Sequence, residues 1–550
     1  MGKYIYLITT FILLFCVGCG SVESGNMAGE DSYTNSTEKP QEEAQSDEQG
    51  DSNSETLEST DGTALPGNNH LYGSGGADSD QNNDSQNEEI EKEEIEYVAV
   101  HTEHVFEQYV DRETGNSLVD MNYQVISLEE GNETLEKTIS RWMVKRQQDL
   151  EEEGLELMVK AKNKQKETGN EDLSASLWHE ITLYRADNHL ISFVERQYSY
   201  SIDSWDNNYR CVNFDVESGK SILLNDLLVN KEGFRKAVIE YCVEELENTY
   251  TNSEIDDAFV NEIYQSITTI ENWCLDASGF VFVYEDDAMT YSNEGVIFVH
   301  VPYDVVLDYM NPKYLWGNTY GVAALTCDQT AAMVIDDVEQ EIRVEKQYDE
   351  YYIEELQLIY GEQVIDMGKH LRTGDIYLVS HEKWNYLLVS ADMGSEDYQT
   401  YFYQLQKDGI GKNFYLTGEL DAANVRADSF HLGLRLDVFG TYQTYPDYFI
   451  LEGGGVASYR PEFEIEHFSY DYCELETIRE LPVVKDSTKI SLPVGSRLRI
   501  LATDNASWAK FLLLDSMEEI IFYFDREEDY TISINGVSEY LYFKELPYAG

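Results

Sequence analysis

The sequence predicts two architectures in series. The first is an α+β domain, a mixed sheet with helices; the second is a β-rich region that ends in a small barrel. Three observations predict this. Up to Tyr314, long stretches with helical apolar spacing interleave with alternating, strand-like runs. Beyond Leu315 the runs are short, often alternating, and separated mostly by Gly, Asp or Asn. The chain of 550 residues is 42% apolar, enough for more than one core.

The N-terminal 96 residues are expected to carry a signal and a linker rather than a folded element. Met1–Gly18 reads as a secretion signal, with Lys3 as the only charge before a short apolar run, Tyr4–Val17. That run is shorter than the ~20 residues a membrane-spanning helix needs. It ends Cys16-Val17-Gly18-Cys19-Gly20, which resembles a lipoprotein signal over residues 1–19, with Cys19 lipidated and holding the protein on the extracytoplasmic face of the cell membrane. Ordinary cleavage and an uncleaved anchor are the competing readings. Residues 20–96 follow as an acidic linker, rich in Ser, Asn, Gly, Asp and Glu. They hold too few branched apolar residues to offset the entropy of ordering. The linker has 21 Asp and Glu against Lys39 and Lys92, so self-repulsion extends it.

Residues 97–314 are expected to form the α+β domain. Tyr97–Phe106 and Leu118–Leu128 alternate and predict strands. Thr134–Lys164 predicts a helix, because Leu135, Ile139, Trp142, Met143 and Leu150 recur at helical spacing. Leu177–Arg185 and His189–Tyr200 predict strands joined by a turn at Asp187-Asn188. A polar loop is expected over Ile202–Asn208, then a strand at Val212–Asp215 that doubles back at Ser218-Gly219. Asp226 marks a short turn or helix start. Phe234–Leu246 and Ile255–Ile267 predict amphipathic helices, Trp273–Tyr284 a hairpin and Val296–Val301 a strand. Pro302-Tyr303-Asp304 opens a helix, where Pro is ordinary.

Residues 315–480 predict a β-rich sandwich, barrel or small propeller. Residues 481–550 are similar to a bacterial SH3-like barrel: Leu492-Pro493-Val494-Gly495 supplies a Gly turn, Arg497–Asp504 the next strand, and Trp508 follows. Such modules bind peptides or wall components.

Charge narrows the partners. The net charge is −67, of which −49 falls on Tyr97–Gly550, so nucleic acid is not an expected ligand. A field of this sign draws in cationic partners, although solubility is the commoner reason for excess Asp and Glu. Cys211, Cys242, Cys274, Cys327 and Cys473 are widely spaced, with no CxxC pair and no zinc pattern. Cys211, Cys242 and Cys274 lie in apolar patterns and read as buried thiols, with disulfides open to the chain after export. No nucleophile elbow, HExxH or phosphate loop is present, and His101 and His104 point to opposite faces of a strand. The expectation is a protein that is not an enzyme and needs no cofactor or metal.

The stretch Asn188–Tyr309 carries a resemblance. Asn213-Phe214-Asp215, Ser218-Gly219-Lys220, Leu224-Asn225-Asp226-Leu227-Leu228, Tyr284-Glu285, Tyr291, Gly295 and Pro302-Tyr303 follow a pattern similar to the C-terminal domain of RsiV-type, lysozyme-sensing anti-sigma factors, which also stands upstream of some peptidoglycan deacetylases. The resemblance covers Tyr97–Tyr314. It implies an extracytoplasmic ligand-binding domain with two binding loops. The first holds Trp205, Asp206, Asn207 and Asn208, where the family usually carries Gly-Gly-Ala-His-Gly; the second holds Tyr291 and Gly295 and lacks the usual Pro. Trp205 and Tyr291 would form an aromatic contact patch; alternatively, Trp205 caps the core edge. The expected function is a membrane-anchored lipoprotein that binds a cationic protein such as lysozyme, or a cell-wall glycan. The alternatives are an envelope hydrolase acting on peptidoglycan and a structural envelope protein.

Overall fold

The computed structural model describes residues 97–548, apart from 131–132, 172, 202–203, 250–271, 286–295, 318–319, 349–353, 370, 395–396, 452–453, 459–461, 466–473, 486–487 and 527–530. Cys19, the signal, the linker, Tyr291, Gly295, Cys473 and the helix expected at Ile255–Ile267 lie outside the described residues. The fold is not the α+β domain followed by a separate β-rich region that the sequence predicts. It is mostly β, with 59% strand and 18% helix.

The chain begins with a hairpin, β1 (Ala99–Val110) and β2 (Ser117–Glu130), followed by α1 (Glu133–Thr168). Then come β3 (Ala175–Asp187), β4 (Leu190–Ser201), β5 (Ser204–Asp215) and the short β6 (Lys220–Ser221). β2 and β3 are parallel, pairing from Val119↔Ala175 to Tyr123↔His179. A parallel pair needs a long crossover, and α1 is that crossover. Its inward residues Leu135, Ile139, Met143, Leu150 and Leu157 keep helical spacing and bury against β2–β5. Trp142 packs edge-on against Phe193 at 5.3 Å and Phe214 at 6.3 Å. Gly154 lies where a Cβ would stand 2.3 Å from Met121 Sδ, so the helix approaches β2 closely there.

After β6 come α2 (Leu224–Leu227), α3 (Lys231–Thr249) and a small sheet of β7 (Trp273–Leu275), β8 (Gly279–Glu285) and β9 (Val296–Pro302). One face of this small sheet, with Trp273, Leu275, Phe280 and Phe282, packs on Phe234, Val238 and Cys242 of α3. Cys274 and Val283 alternate to the other face and meet Val194 and Cys211 of β4 and β5.

The correction turns on β10 (Gly321–Ala324). This four-residue strand pairs with β3 on one edge and, on the other, with β15 (Arg372–His381). Its Gly-Val-Ala-Ala sequence has no alternation to read. β16 (Trp384–Asp392), β17 (Tyr398–Gln406) and β18 (Gly409–Thr417) extend the sheet, so one 11-stranded sheet runs from β6 to β18 through residue 321. Between β10 and β15 a meander of β11 (Thr330–Ile335), β12 (Val338–Tyr348), β13 (Glu354–Tyr360) and β14 (Gln363–Lys369) folds over one face of β15–β17. The opposite face is covered by β19 (Glu419–Val425), β20 (Ser429–Asp437), β22 (Asp447–Leu451) and β23 (Gly455–Ser458), while β21 (Thr441–Thr444) pairs with the far end of β20 and packs in the C-terminal core.

Gly321 sits at φ 146°, and a Cβ there would lie 2.2 Å from the Ala186 carbonyl oxygen on β3. Gly321→Ala is therefore expected to destabilise the fold by about 3 kcal/mol, through strain and loss of the β3–β10 pairing. Urea unfolding measures it; a loss below about 0.5 kcal/mol would contradict this reading of β10.

The C-terminal residues do not close into an SH3-like barrel. Their sheet runs, in order, Phe463–Glu464, Arg497–Thr503, Trp508–Leu513, Glu518–Tyr523, Leu481–Lys485 and Thr488–Leu492, with no closed barrel among the described residues. One end reaches back to Phe463–Glu464 and Glu474–Glu476, outside the segment expected to close on itself. The core is shared as well. Phe439 stands edge-on to Phe511, Phe522, Phe524 and Phe543 at 5.5–5.7 Å.

Candidate ligand-binding face

The β4–β5 hairpin places the first predicted site. Trp205, Asp206, Asn207 and Asn208 are in strand β5, not in a loop, and pair with Tyr200, Ser199, Tyr198 and Gln197. The flanking Ser201 and Ser204 hydroxyls bond at 2.8 Å. Trp205 is 62% exposed and its cross-strand partner Tyr200 is 55% exposed. Trp205 therefore does not cap the core edge.

Strand alternation puts Trp178, Glu180, Arg196, Tyr198, Tyr200, Trp205, Asn207 and Tyr209 on one face, opposite α1. The side chains form a continuous run. Trp178 stacks on Tyr198 with centroids 5.7 Å apart. The Arg196 guanidinium lies over Tyr198 at 4.8 Å and Tyr209 at 5.6 Å, and its Nε donates to Asn207 Oδ1 at 3.3 Å. Tyr209 meets the exposed Phe298 of β9 edge-on at 5.5 Å. The outer edge of β5 is held near Cys211 by Asn272, whose Oδ1 accepts from Cys211 N at 2.9 Å and whose Nδ2 donates to the Tyr209 carbonyl at 3.0 Å. Among the described residues no strand pairs with that edge over Ser204–Asn208.

Glu180 joins this run to an acidic cleft. Arg196 stands 3.5 Å from Glu180 Oε2, and the Tyr198 hydroxyl 3.5 Å from Oε1. The cleft lies past the end of β10, between Glu180–Thr182 of β3, Asp375 of β15 and Glu419–Ala423 of β19. It holds about 30 Å³, space on the scale of a water molecule, and is lined by Gln124, Glu180, Asp375, Glu419, Asp421 and Tyr445 among others. β19 is tied down at Asp421–Asn424: Asn424 Nδ2 donates to Asp421 Oδ2 at 2.7 Å, and Asn424 Oδ1 accepts from Thr102 N at 2.9 Å. Behind it, His431 Nδ1 lies 3.7 Å from Asp421 Oδ2, and its Nε2 lies 2.6 Å from Asp447 Oδ1.

Burial raises three of these carboxyls. Glu180 reaches about 7, burial outweighing Arg196 and Tyr198. Asp375 reaches about 6 through burial and the neighbouring Asp421, and Asp421 reaches about 6 through burial against the opposing pull of His431 and Asn424. A carboxyl whose folded pKa lies above its unfolded value binds its proton more tightly in the native state. Its penalty is absent below the unfolded pKa and grows as pH rises towards the folded one. Asp375→Asn is therefore expected to stabilise the protein at pH 8 by about 2 kcal/mol and not at pH 4, flattening stability against pH across that window. Equal shifts at both pH values in thermal melts would refute it.

Two other clusters are structural. Ser278 Oγ and Asp276 Oδ1 both face His300 Nε2, at 2.9 and 3.3 Å. A nucleophile relay needs Ser and Asp on opposite ring nitrogens. Asp276 instead ties the β7–β8 turn, accepting from Ser278 N and Gly279 N at 2.7 Å and from Thr326 Oγ1 at 2.6 Å. Burial opposes its charge, but His300 and these hydrogen bonds outweigh it and hold its pKa below the ordinary value. Under α1, Glu195 Oε1 accepts from Arg146 Nε at 2.7 Å and meets His179 Nε2 at 2.8 Å. That network holds the helix on the sheet. Among the described residues no group of His, Cys, Asp and Glu is placed to hold a metal ion, and no helix is long and apolar enough to cross a membrane.

No family model and no curated protein matches the chain. Its structural neighbours include two DUF3298 family proteins. The crystal structure of one, from Bacteroides fragilis, is 13% identical, covers 39% of this chain and 94% of its own, and has a TM-score of 0.31. The other, from Pseudomonas aeruginosa PAO1, is 14% identical, covers 40% and 98%, and has a TM-score of 0.25.

Proposed function

We propose that this chain is a binding protein of the cell envelope, lipid-anchored through Cys19, that captures a cationic protein on the β4–β5 face. Lysozyme is the kind of partner that the RsiV resemblance implies. The observation that carries the reading is the exposed Tyr200–Trp205 pair at the tip of a hairpin with an open edge. Large exposed aromatics are the residues that anchor protein interfaces. The charge of −49 on Tyr97–Gly550 supplies the steering, and Arg and Lys of the partner meet the exposed Tyr200 and Trp205 rings. The binding face carries the reading without any hydrolytic chemistry. Hydrogen exchange tests the location. On adding a cationic lysozyme, amides of Ser204–Asn208 are expected to gain protection while those of α1 do not change. Protection confined to the C-terminal sheet would move the binding site elsewhere.

A further inference from the structure

Cys211 and Cys274 are far apart in sequence and meet across two sheets. Cys211 is on β5, the strand that carries Trp205; Cys274 is on β7, in the small sheet laid over β4 and β5. Four hydrogen bonds fix the register between them. Asn272 clamps Tyr209 O and Cys211 N, Asn213 Nδ2 donates to the Trp273 carbonyl at 2.7 Å, and Leu275 N donates to Ser192 Oγ at 3.0 Å. Cys274 is therefore held opposite Cys211. Both side chains lie in one small apolar cluster with Val194 and Val283, where the Cys274 thiol donates to the Phe193 carbonyl at 3.4 Å. Both thiols are free and buried. Cys242 and Cys327 belong to other clusters, with Cys242 on α3 and Cys327 beside Val344.

We propose that Cys211 and Cys274 form a disulfide that staples the β7–β9 sheet to β5. The oxidant is a second disulfide, either small or borne by a thiol oxidoreductase. One cysteine, as thiolate, attacks a sulfur of the oxidant and releases one thiol. The other cysteine then attacks the mixed disulfide and releases the second thiol. Two protein S–H bonds are lost, one S–S bond forms, and the oxidant disulfide is reduced to two thiols. Burial raises the Cys211 thiol well above its ordinary pKa, so the closed native state reacts slowly. The bond therefore closes during folding, before the second sheet seals the pocket. This inference is independent of what the binding face holds.

The test is to refold the full chain in a mixture of oxidised and reduced glutathione, trap it with an alkylating agent, and map the peptides. The expected result is one linked pair of peptides, containing Cys211 and Cys274, with a mass 2 Da below the sum of the reduced pair. A Tm several degrees above that of the reduced protein should accompany it. Cys274→Ser should abolish the linked pair and make Tm insensitive to reductant, while Cys242→Ser should change neither. Because Cys274→Ser could unfold the small sheet, the wild-type peptide map is the deciding measurement. Recovery of both peptides fully alkylated from refolded, oxidised wild-type protein would overturn the proposal.

Discussion

Asp187→Ala is expected to cost about 3–5 kcal/mol, the largest stability loss of any single substitution considered. Arg185 is fully buried in β3, and Asp187 Oδ2 accepts from its Nε at 2.6 Å. The rest of the guanidinium is spent on holding the chain after β9: Nη1 donates to the Tyr314 carbonyl at 2.7 Å and the Tyr303 hydroxyl at 3.2 Å, and the group lies over Trp316 at 5.6 Å. Asp187 Oδ1 meanwhile accepts from His189 N at 2.7 Å and Leu190 N at 2.8 Å, which shapes the β3–β4 turn. Removing the carboxylate leaves a buried cation without its counter-charge and two turn N–H groups without an acceptor. Asp187→Asn keeps the turn bonds and loses the charge, so it should fall between wild type and Ala. Chemical denaturation gives the ranking; a cost below about 1 kcal/mol for Asp187→Ala would show that the pair is solvated.

Trp205→Ala is expected to weaken capture of a cationic protein by about 2 kcal/mol, roughly thirtyfold, with no change in Tm. The two readouts separate a contact residue from a packing residue. A 62% exposed indole contributes little to the core, so a binding loss at unchanged Tm is the signature of an interface anchor. Tyr200→Ala should act in the same direction, and the double variant should lose less than the sum, because the two rings are cross-strand neighbours. A Tm that falls with Trp205→Ala would return the residue to the role of a core cap.

How much of this was legible in the sequence depended on periodicity. β1–β4 and α1 alternate or repeat at helical spacing, and their positions follow from the sequence within a few residues, whereas β5 begins eight residues before the expected strand. β10 is four small residues with no alternation, yet it joins β3 to β15 and turns two expected regions into one sheet. Ser204–Asn208 looks like loop in the sequence because a strand exposed on both faces has no apolar alternation to show. Trp205 was legible as a candidate, but its exposure depends on what covers the face, which no local pattern states. Glu180, Asp375 and Asp421 had no signal at all. They come from three distant strands of an acidic chain, and only the pairing of β10 with both β3 and β15 brings them to one cleft. The C-terminal barrel failed for a related reason: its turn and Trp pattern is local, whereas closure depends on which strand the sheet edge finds, and here it finds Phe463–Glu464.

The measurement that tests the central claim most directly is a binding isotherm of the Tyr97–Gly550 fragment with a cationic lysozyme at physiological and at low salt. The account predicts saturable binding that survives physiological salt and weakens roughly thirtyfold with Trp205→Ala. Binding that disappears at physiological salt, or that Trp205→Ala leaves unchanged, would contradict it and reduce the attraction to the nonspecific pull of an acidic surface.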